Sequence, residues 1–300
     1  MSIFLRRMPE CLVLLSCLVS MQVCAEISVR DDEGNVVKLE KPAQRLISLA
    51  PHATELLFAA GAGARIVGAV EYSDFPEAAK RIPRVGDNRE IDLERVIAMK
   101  PDLLVTWRYV GFARQVERLR QLGIPVFFSE PRKLDDIPED VARLGRLLGS
   151  DDEAEKTAAE MRGRLSALKS GHAGQPPVRL FYQVWDKPLY TLNGEHIVSD
   201  AIRLCGGVNV FAGTKAIAPS VTVEAVLKED PEAILGTAEN SRAGGGIEMW
   251  KEYPMLAATR LDNLLTMDGN LLNRPGPRMV DGAEALCSKL DLVRQHRKTP

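Results

Sequence analysis

The apolar and polar positions of the chain alternate between two periods. Arg45-Leu46-Ile47-Ser48-Leu49 is a short β-rich apolar run, and the amphipathic stretch 54–60 that follows it ends at Gly61, a helix-stop signal. The same succession predicts strands over 66–70, 103–107 and 126–129, with helices over 92–99 and 112–122 between them. Strand and helix in alternation imply a parallel sheet covered by helices. After Pro131 the pattern changes. From 134 to about 170 nearly every residue favours helix, with one interruption at Gly149-Ser150, where Ser150 or Asp151 can cap a second helix over 152–170. No strand lies behind that helix. Gly171, Gly174, Pro176 and Pro177 end it, and alternation resumes with a strand over 178–185, a helix over 199–204 and a strand over 233–236. The expected fold class is therefore α/β: two lobes, 26–133 and 176–300, joined through a helical segment, 134–175, whose long helix bridges them.

An internal echo supports two related lobes. Ile91-Asp92-Leu93-Glu94-Arg95-Val96-Ile97 leading to Pro101-Asp102-Leu103-Leu104-Val105 matches Val221-Thr222-Val223-Glu224-Ala225-Val226-Leu227 leading to Pro231-Glu232-Ala233-Ile234-Leu235 without a gap. In each copy a capping residue, Asp92 or Thr222, opens a short helix, a glutamate sits in its first turn, and proline stops it before a buried strand. Complementing the helix dipole accounts for Glu94 or Glu224 alone. Their equivalent positions in both lobes point further, to docking on a two-fold symmetric partner.

The first residues read as a separate element. Arg6 and Arg7 precede an apolar run from Cys11 to Leu18 and a small-residue site at Val23-Cys24-Ala25, the pattern of a signal peptide over 1–25, cleaved after Ala25. Cys24 leaves lipidation as the alternative. The run is too short for a permanent membrane anchor, so the expected mature chain is soluble and exported. A net charge of −2, with no basic stripe, excludes nucleic acid as a partner. Beyond the leader only Cys205 and Cys287 remain, and in an oxidising compartment a disulfide is their natural reading. Closing so long a loop removes unfolded-state entropy worth about 4 to 5 kcal/mol in the chain-entropy model.

Several segments together resemble one known family: Arg45 through Pro51 with Thr54-Glu55-Leu56, then Tyr72-Ser73-Asp74-Phe75-Pro76, Leu93-Glu94-Arg95 to Pro101-Asp102-Leu103, Trp107-Arg108, Cys205-Gly206-Gly207, the stretch 222–231 and Cys287. Over nearly all of the sequence after the leader, and more densely in the first lobe, the chain is similar to the periplasmic solute-binding proteins that carry cobalamin, ferric siderophores or haem to ABC importers, the cobalamin binders above all. The resemblance implies two Rossmann-like lobes joined by one rigid helix, and a monomer in the periplasm. Cobalamin would be its transported ligand, with no catalytic cofactor, and an inner-membrane ABC permease dimer with its ATPase subunits would be its partner.

Residue by residue, Tyr72 matches the family tyrosine that packs on the corrin, Trp107 matches another aromatic of the same cleft, and Tyr190 sits where the second lobe contributes one. Aromatic walls suit a broad apolar ring fringed with amides, although strand-end aromatics also serve as ordinary core. Asp268 stands where the family places an acid on the ligand; the arginine that should follow is either Arg274 or Arg278, because the spacing is longer here. A Pro- and Gly-rich turn before a last helix from Met279 is the plainer account of that loop. Glu94 and Glu224 align with the two glutamates that pair with transporter arginines. Asn88 and Ala218 stand where cobalamin binders carry tryptophans, which leaves haem and ferric siderophores as alternative ligands.

Other chemistries find little support. The four histidines, His52, His172, His196 and His296, are too few and too scattered for a three-histidine metal site, and no metal is expected. His52, on the loop after the first strand, is a candidate to face the cleft, with a backbone hydrogen bond as its plainer role. There is no P-loop, dinucleotide fingerprint, nucleophile-elbow serine or zinc-protease motif, and Gly244-Gly245-Gly246 reads as a flexible loop, so an enzyme is not expected.

Overall fold

The computed structural model describes residues 26–108, 111–237 and 246–297. The leader expected over 1–25 and most of the glycine run at 244–246 lie outside them.

The expected alternation folds into two four-stranded sheets. In the first, β3 (Leu46–Ser48), β4 (Ile66–Ala69), β5 (Leu103–Thr106) and β6 (Val126–Phe128) run parallel in the spatial order β4-β3-β5-β6. In the second, β7 (Val178–Gln183), β10 (Gly207–Asn209), β11 (Ala233–Thr237) and β12 (Leu264–Met267) run parallel in the order β10-β7-β11-β12. Each lobe starts at an inner strand, steps outward once, and then builds on the other side. Every residue of β5 and β11 is buried, which is why these strands read as unbroken apolar runs rather than alternating ones.

Helices α1 (Pro51–Ala59), α2 (Leu93–Ala98) and α3 (Ala113–Gln121) connect the first sheet, while α6 (Ile197–Leu204), α7 (Val223–Glu229) and α8 (Ala257–Arg260) belong to the second. Between them, α4 (Asp136–Leu148) ends at Gly149 in the left-handed conformation, φ 62°, and α5 (Asp151–His172) follows. At 22 residues, α5 spans about 33 Å. Ser150 holds its N-cap position, yet the Ser150 hydroxyl donates to the Ala60 carbonyl (2.5 Å) instead of capping the helix. A buried stripe, Ala154, Ala158, Met161 and Leu165, seats α5. Its approach to α4 is close enough that a Cβ on Gly145 would lie 2.3 Å from that of Ala154. On its other side Arg164 reaches Asp281 (2.5 Å) and Glu284 (2.7 Å) of α10 (Met279–His296). One cluster of buried apolar residues, from Val29 to Val293, continues through both lobes, and each lobe adds a smaller core of its own.

Two antiparallel hairpins went unread in the sequence: β1 (Ile27–Arg30) with β2 (Val36–Leu39), and β8 (Trp185–Asp186) with β9 (Leu189–Tyr190). Strands of two to four residues are too short to show a period.

The internal echo is real in three dimensions. The Asp92 carboxylate accepts from the Arg95 amide (2.9 Å) and the Thr222 hydroxyl from the Ala225 amide (3.2 Å). Lys100 and Asp230, at the same step of the repeat, both have positive φ, 46° and 42°. Arg45 donates to the Met99 carbonyl (2.7 Å) and Arg179 to the Glu229 carbonyl (2.6 Å), the same position at the end of each helix. Asp102 then accepts the Arg45 amide (2.8 Å) as Glu232 accepts the Arg179 amide (3.1 Å).

Cys205, at the end of α6, is bonded to Cys287 on α10, as expected, across a separation of 82 residues. Replacing both by serine should lower unfolding stability by about 4 kcal/mol, read as a lower urea midpoint with a steeper slope, because the uncrosslinked denatured chain exposes more surface.

Candidate functional site

In an open parallel sheet, ligands bind beyond the carboxyl ends of the strands where the order of winding reverses. In the first lobe that point lies between β3 and β5. His52, from the segment after β3, and Trp107, directly after β5, meet there edge to face with ring centroids 5.9 Å apart. His52 is not on a loop: Pro51 starts α1, and His52 is in its first turn. Its Nε2 lies 3.3 Å from the Ser129 carbonyl, to which it donates. Burial pushes its pKa down to about 4, against a smaller opposite pull from the Ser129 carbonyl and Asp32. Of the two roles the sequence allowed, the backbone hydrogen bond is the one seen, with the ring set behind Trp107.

Tyr72 follows β4, is 68% exposed, and has a left-handed backbone, φ 65°. In the second lobe Tyr190 (37% exposed) lies opposite Trp185 (48% exposed) on the β8–β9 hairpin, so the two exposed aromatic residues form a cross-strand pair beyond the carboxyl end of β7. Trp185 was absorbed in the sequence into the preceding strand; the turn Lys187-Pro188 was the signal that a hairpin begins there.

A cavity of about 130 Å³ lies between the lobes, lined among others by Trp107, Glu130 and Arg132 on one side and Glu195, His196 and Leu272 on the other. His196 went unnoticed as a wall residue. Its Nδ1 accepts from the Val198 amide (3.2 Å) at the start of α6, and burial lowers its pKa to about 4. Asp268 is exposed and caps the short helix α9 (Gly269–Leu272), its Oδ1 accepting from the Asn270 amide at 2.9 Å.

The two arginines behave differently from a pair awaiting a ligand. Arg274 donates to Asp74 (2.6 Å) in the loop that carries Tyr72, with Glu55 3.8 Å away. Arg278 forks onto Glu55 of α1 (2.6 and 3.0 Å), its guanidinium 4.2 Å from the centre of the Phe75 ring. Each contact joins one lobe to the other. Glu55 is only 3% exposed, so Arg278 compensates a charge that water cannot reach. Burial alone would raise the Asp74 pKa, but the hydrogen bond and charge of Arg274 hold it below the ordinary carboxylate range.

Glu94 and Glu224 stand in solvent on the first turns of α2 and α7, in the matching frames described above. Hydrogen bonds from its own amide and from Thr222 lower the pKa of Glu224. Asn88 and Ala218 are exposed as well. Among the described residues no group of three or more His, Cys, Asp or Glu is placed to hold a metal ion, and no helix is long and apolar enough to cross a membrane.

Comparison with known proteins places this geometry. A family profile described as periplasmic binding protein matches residues 46–269. The vitamin B12-binding protein of Vibrio cholerae serotype O1 is 37% identical over 255 residues, 85% of this chain and 91% of that protein. The crystal structure of periplasmic vitamin B12 binding protein BtuF of Vibrio cholerae superposes with a TM-score of 0.79 at 36% identity, covering 84% of this chain and 98% of that one. A periplasmic heme binding protein from Pseudomonas aeruginosa superposes with a TM-score of 0.68 at 26% identity, over 82% of this chain and 92% of that one.

His52 and His196 are neutral in the fold and titrate near 6.5 once unfolded. The stability they contribute, about 3 kcal/mol each at most, is complete above pH 6.5 and is lost as the pH falls toward 4. Imidazole NMR should show both rings still neutral at pH 5.5, and His52→Gln should flatten the pH dependence of stability between 6.5 and 4.

Proposed function

We propose, from the premise that the chain belongs to the periplasmic binding protein family, that it is a carrier that captures cobalamin between its two lobes in the periplasm and delivers it to an ABC importer. The observation that carries the reading is the placement of aromatic residues beyond the carboxyl ends of both parallel sheets: exposed Tyr72 and half-buried Trp107 from one lobe, exposed Trp185 and Tyr190 from the other. A corrin offers a wide apolar face with polar amides around it. Flat side chains supply the contact area, and a few polar groups such as Asp268 fix orientation. Such a ligand is too large for the 130 Å³ enclosed between the lobes, so it lies across the open mouth, with the enclosed space beneath it. The carrier reading supposes no bond made or broken, and the ligand is released as it was captured.

Haem is the second reading. It rests on the likeness to the Pseudomonas aeruginosa protein and on Asn88 and Ala218, which remove two aromatic walls. Both ligands suit flat aromatic walls, and titration separates them.

Glu94 and Glu224 are the docking residues in this reading. One from each lobe, in matching helical frames, they present two carboxylates to a partner with two-fold symmetry and serve to steer and orient it.

Isothermal titration of residues 26–300 with cyanocobalamin should give saturable one-to-one binding and return the ligand intact; haemin binding in its place would move the assignment. Tyr72→Ala and Trp185→Ala should each weaken binding about tenfold, the loss of one stacking wall. The double change Glu94→Ala, Glu224→Ala should bind normally and fail to drive uptake by the reconstituted importer, and full uptake would remove these residues from docking.

A further inference from the structure

The cleft is unusual in how it treats its own cations. Arg274 and Arg278 sit on the loop between α9 and α10, next to the wall residues Asn273 and Pro275. Two guanidiniums beside a binding cleft would ordinarily serve ligand carboxylates, which they match in a bidentate fork. Here both are engaged by acids from the opposite lobe. Arg278 donates to both Oε atoms of Glu55, and Arg274 donates to Asp74 at 2.6 Å with Glu55 close behind. The charged residues lining the cavity itself are Glu130 and Glu195 against Arg132, and Asp268 stands exposed at the head of α9. The cleft therefore presents acid in excess, while the two arginines best placed to reverse that balance are already neutralised.

We propose that Asp74 and Glu55 are intramolecular counter-ions that withhold Arg274 and Arg278 from the cleft, so that the cleft selects ligands with an uncharged, amide-bearing periphery over ligands that present carboxylates. The two acids differ in how firmly they hold. The Glu55 side chain is 2% exposed, and it cannot release Arg278 without leaving a charge stranded in the interior, whereas the Asp74 side chain is 47% exposed and lets go at small cost. Asp74 is thus the adjustable member and sets selectivity through Arg274, as a positioning residue. This inference rests on the carrier reading for its ligand, but the state of Arg274 can be followed without any ligand.

The test pairs both measurements on the parent chain, Asp74→Asn and Asp74→Glu. Cyanocobalamin is titrated against its monocarboxylic acids, in which hydrolysis of one peripheral amide adds a single negative charge to the same ring. The parent should bind the acids roughly two- to fivefold more weakly than the amide, the size of one partly exposed charge interaction. Asp74→Asn should narrow that ratio toward unity, and Asp74→Glu should restore it, which a merely structural role for the loop would not do. Without ligand, phenylglyoxal labelling of Arg274, read by peptide mass spectrometry, should be slow in the parent and in Asp74→Glu and several-fold faster in Asp74→Asn. Equal binding of amide and acid by the parent, or a ratio unmoved by Asp74→Asn, overturns the selectivity. Equal labelling in all three chains overturns the counter-ion itself. If cyanocobalamin does not bind at all, the cobalamin reading falls on its own, and the labelling still decides whether Asp74 withholds Arg274.

Discussion

The carboxylate of Glu55 is the constraint around which the two lobes are arranged. It sits in α1, out of reach of water, and an isolated ion in that position would cost several kcal/mol. Its compensation comes from Arg278, some 220 residues further along the chain and in the other lobe. The lobes therefore cannot part at this seam without exposing or neutralising the charge. The helix α5 bridges the lobes, and the apolar cluster that continues through both of them includes Leu56 and Leu57 beside Glu55 and Met279 and Val280 beside Arg278. Two attachments of different kind, one ionic and one apolar, leave the mouth between the aromatic residues as the region with the least to lose on moving.

The repeat of the two lobes explains why so much of the surface is specified twice. In each copy an arginine at the head of the first inner strand ties down the last carbonyls of a short helix, and an acid at the start of the next strand ties down the arginine's own amide. The helix is fixed at both ends, by a side-chain cap at one and by the arginine at the other. A glutamate on its first turn then projects from a rigid frame, and both lobes present it alike. A flexible pair of carboxylates could attract a partner but could not orient it.

Most of the architecture was legible because it rests on local pattern. Buried parallel strands leave apolar runs, prolines and glycines mark the ends of helices, and the long helix shows itself by having no strand behind it. What escaped was either too short or too distant. The β8–β9 strands have two residues each, so Trp185 was merged with the strand before it. His52 was assigned to a loop because α1 begins at Pro51 behind Ala50, which offers no capping side chain, and Pro at a first helical position resembles a loop residue until the following turn is seen. The cystine could be expected from a count of cysteines. No count reveals that Arg274 meets Asp74 across 200 residues, because the sequence marks each segment separately and nothing in either one points to the other.

The consequence for ligand exchange follows from the same asymmetry. A carrier must hold its ligand firmly in transit and still surrender it on docking. The Glu55–Arg278 pair resists opening because both partners are largely withdrawn from solvent, whereas Asp74 and Arg274 meet where one partner is half exposed and can exchange its bond for water. Opening that begins at Asp74 and pivots about Glu55 would separate the Tyr72 loop from the Asp268 loop, the two segments of opposite lobes that this ionic seam ties together. In the proposed docking, the work of release would then fall on a partner engaging Glu94 and Glu224. Those residues stand on rigid helices, so force applied there is carried to the seam instead of being absorbed by a loop.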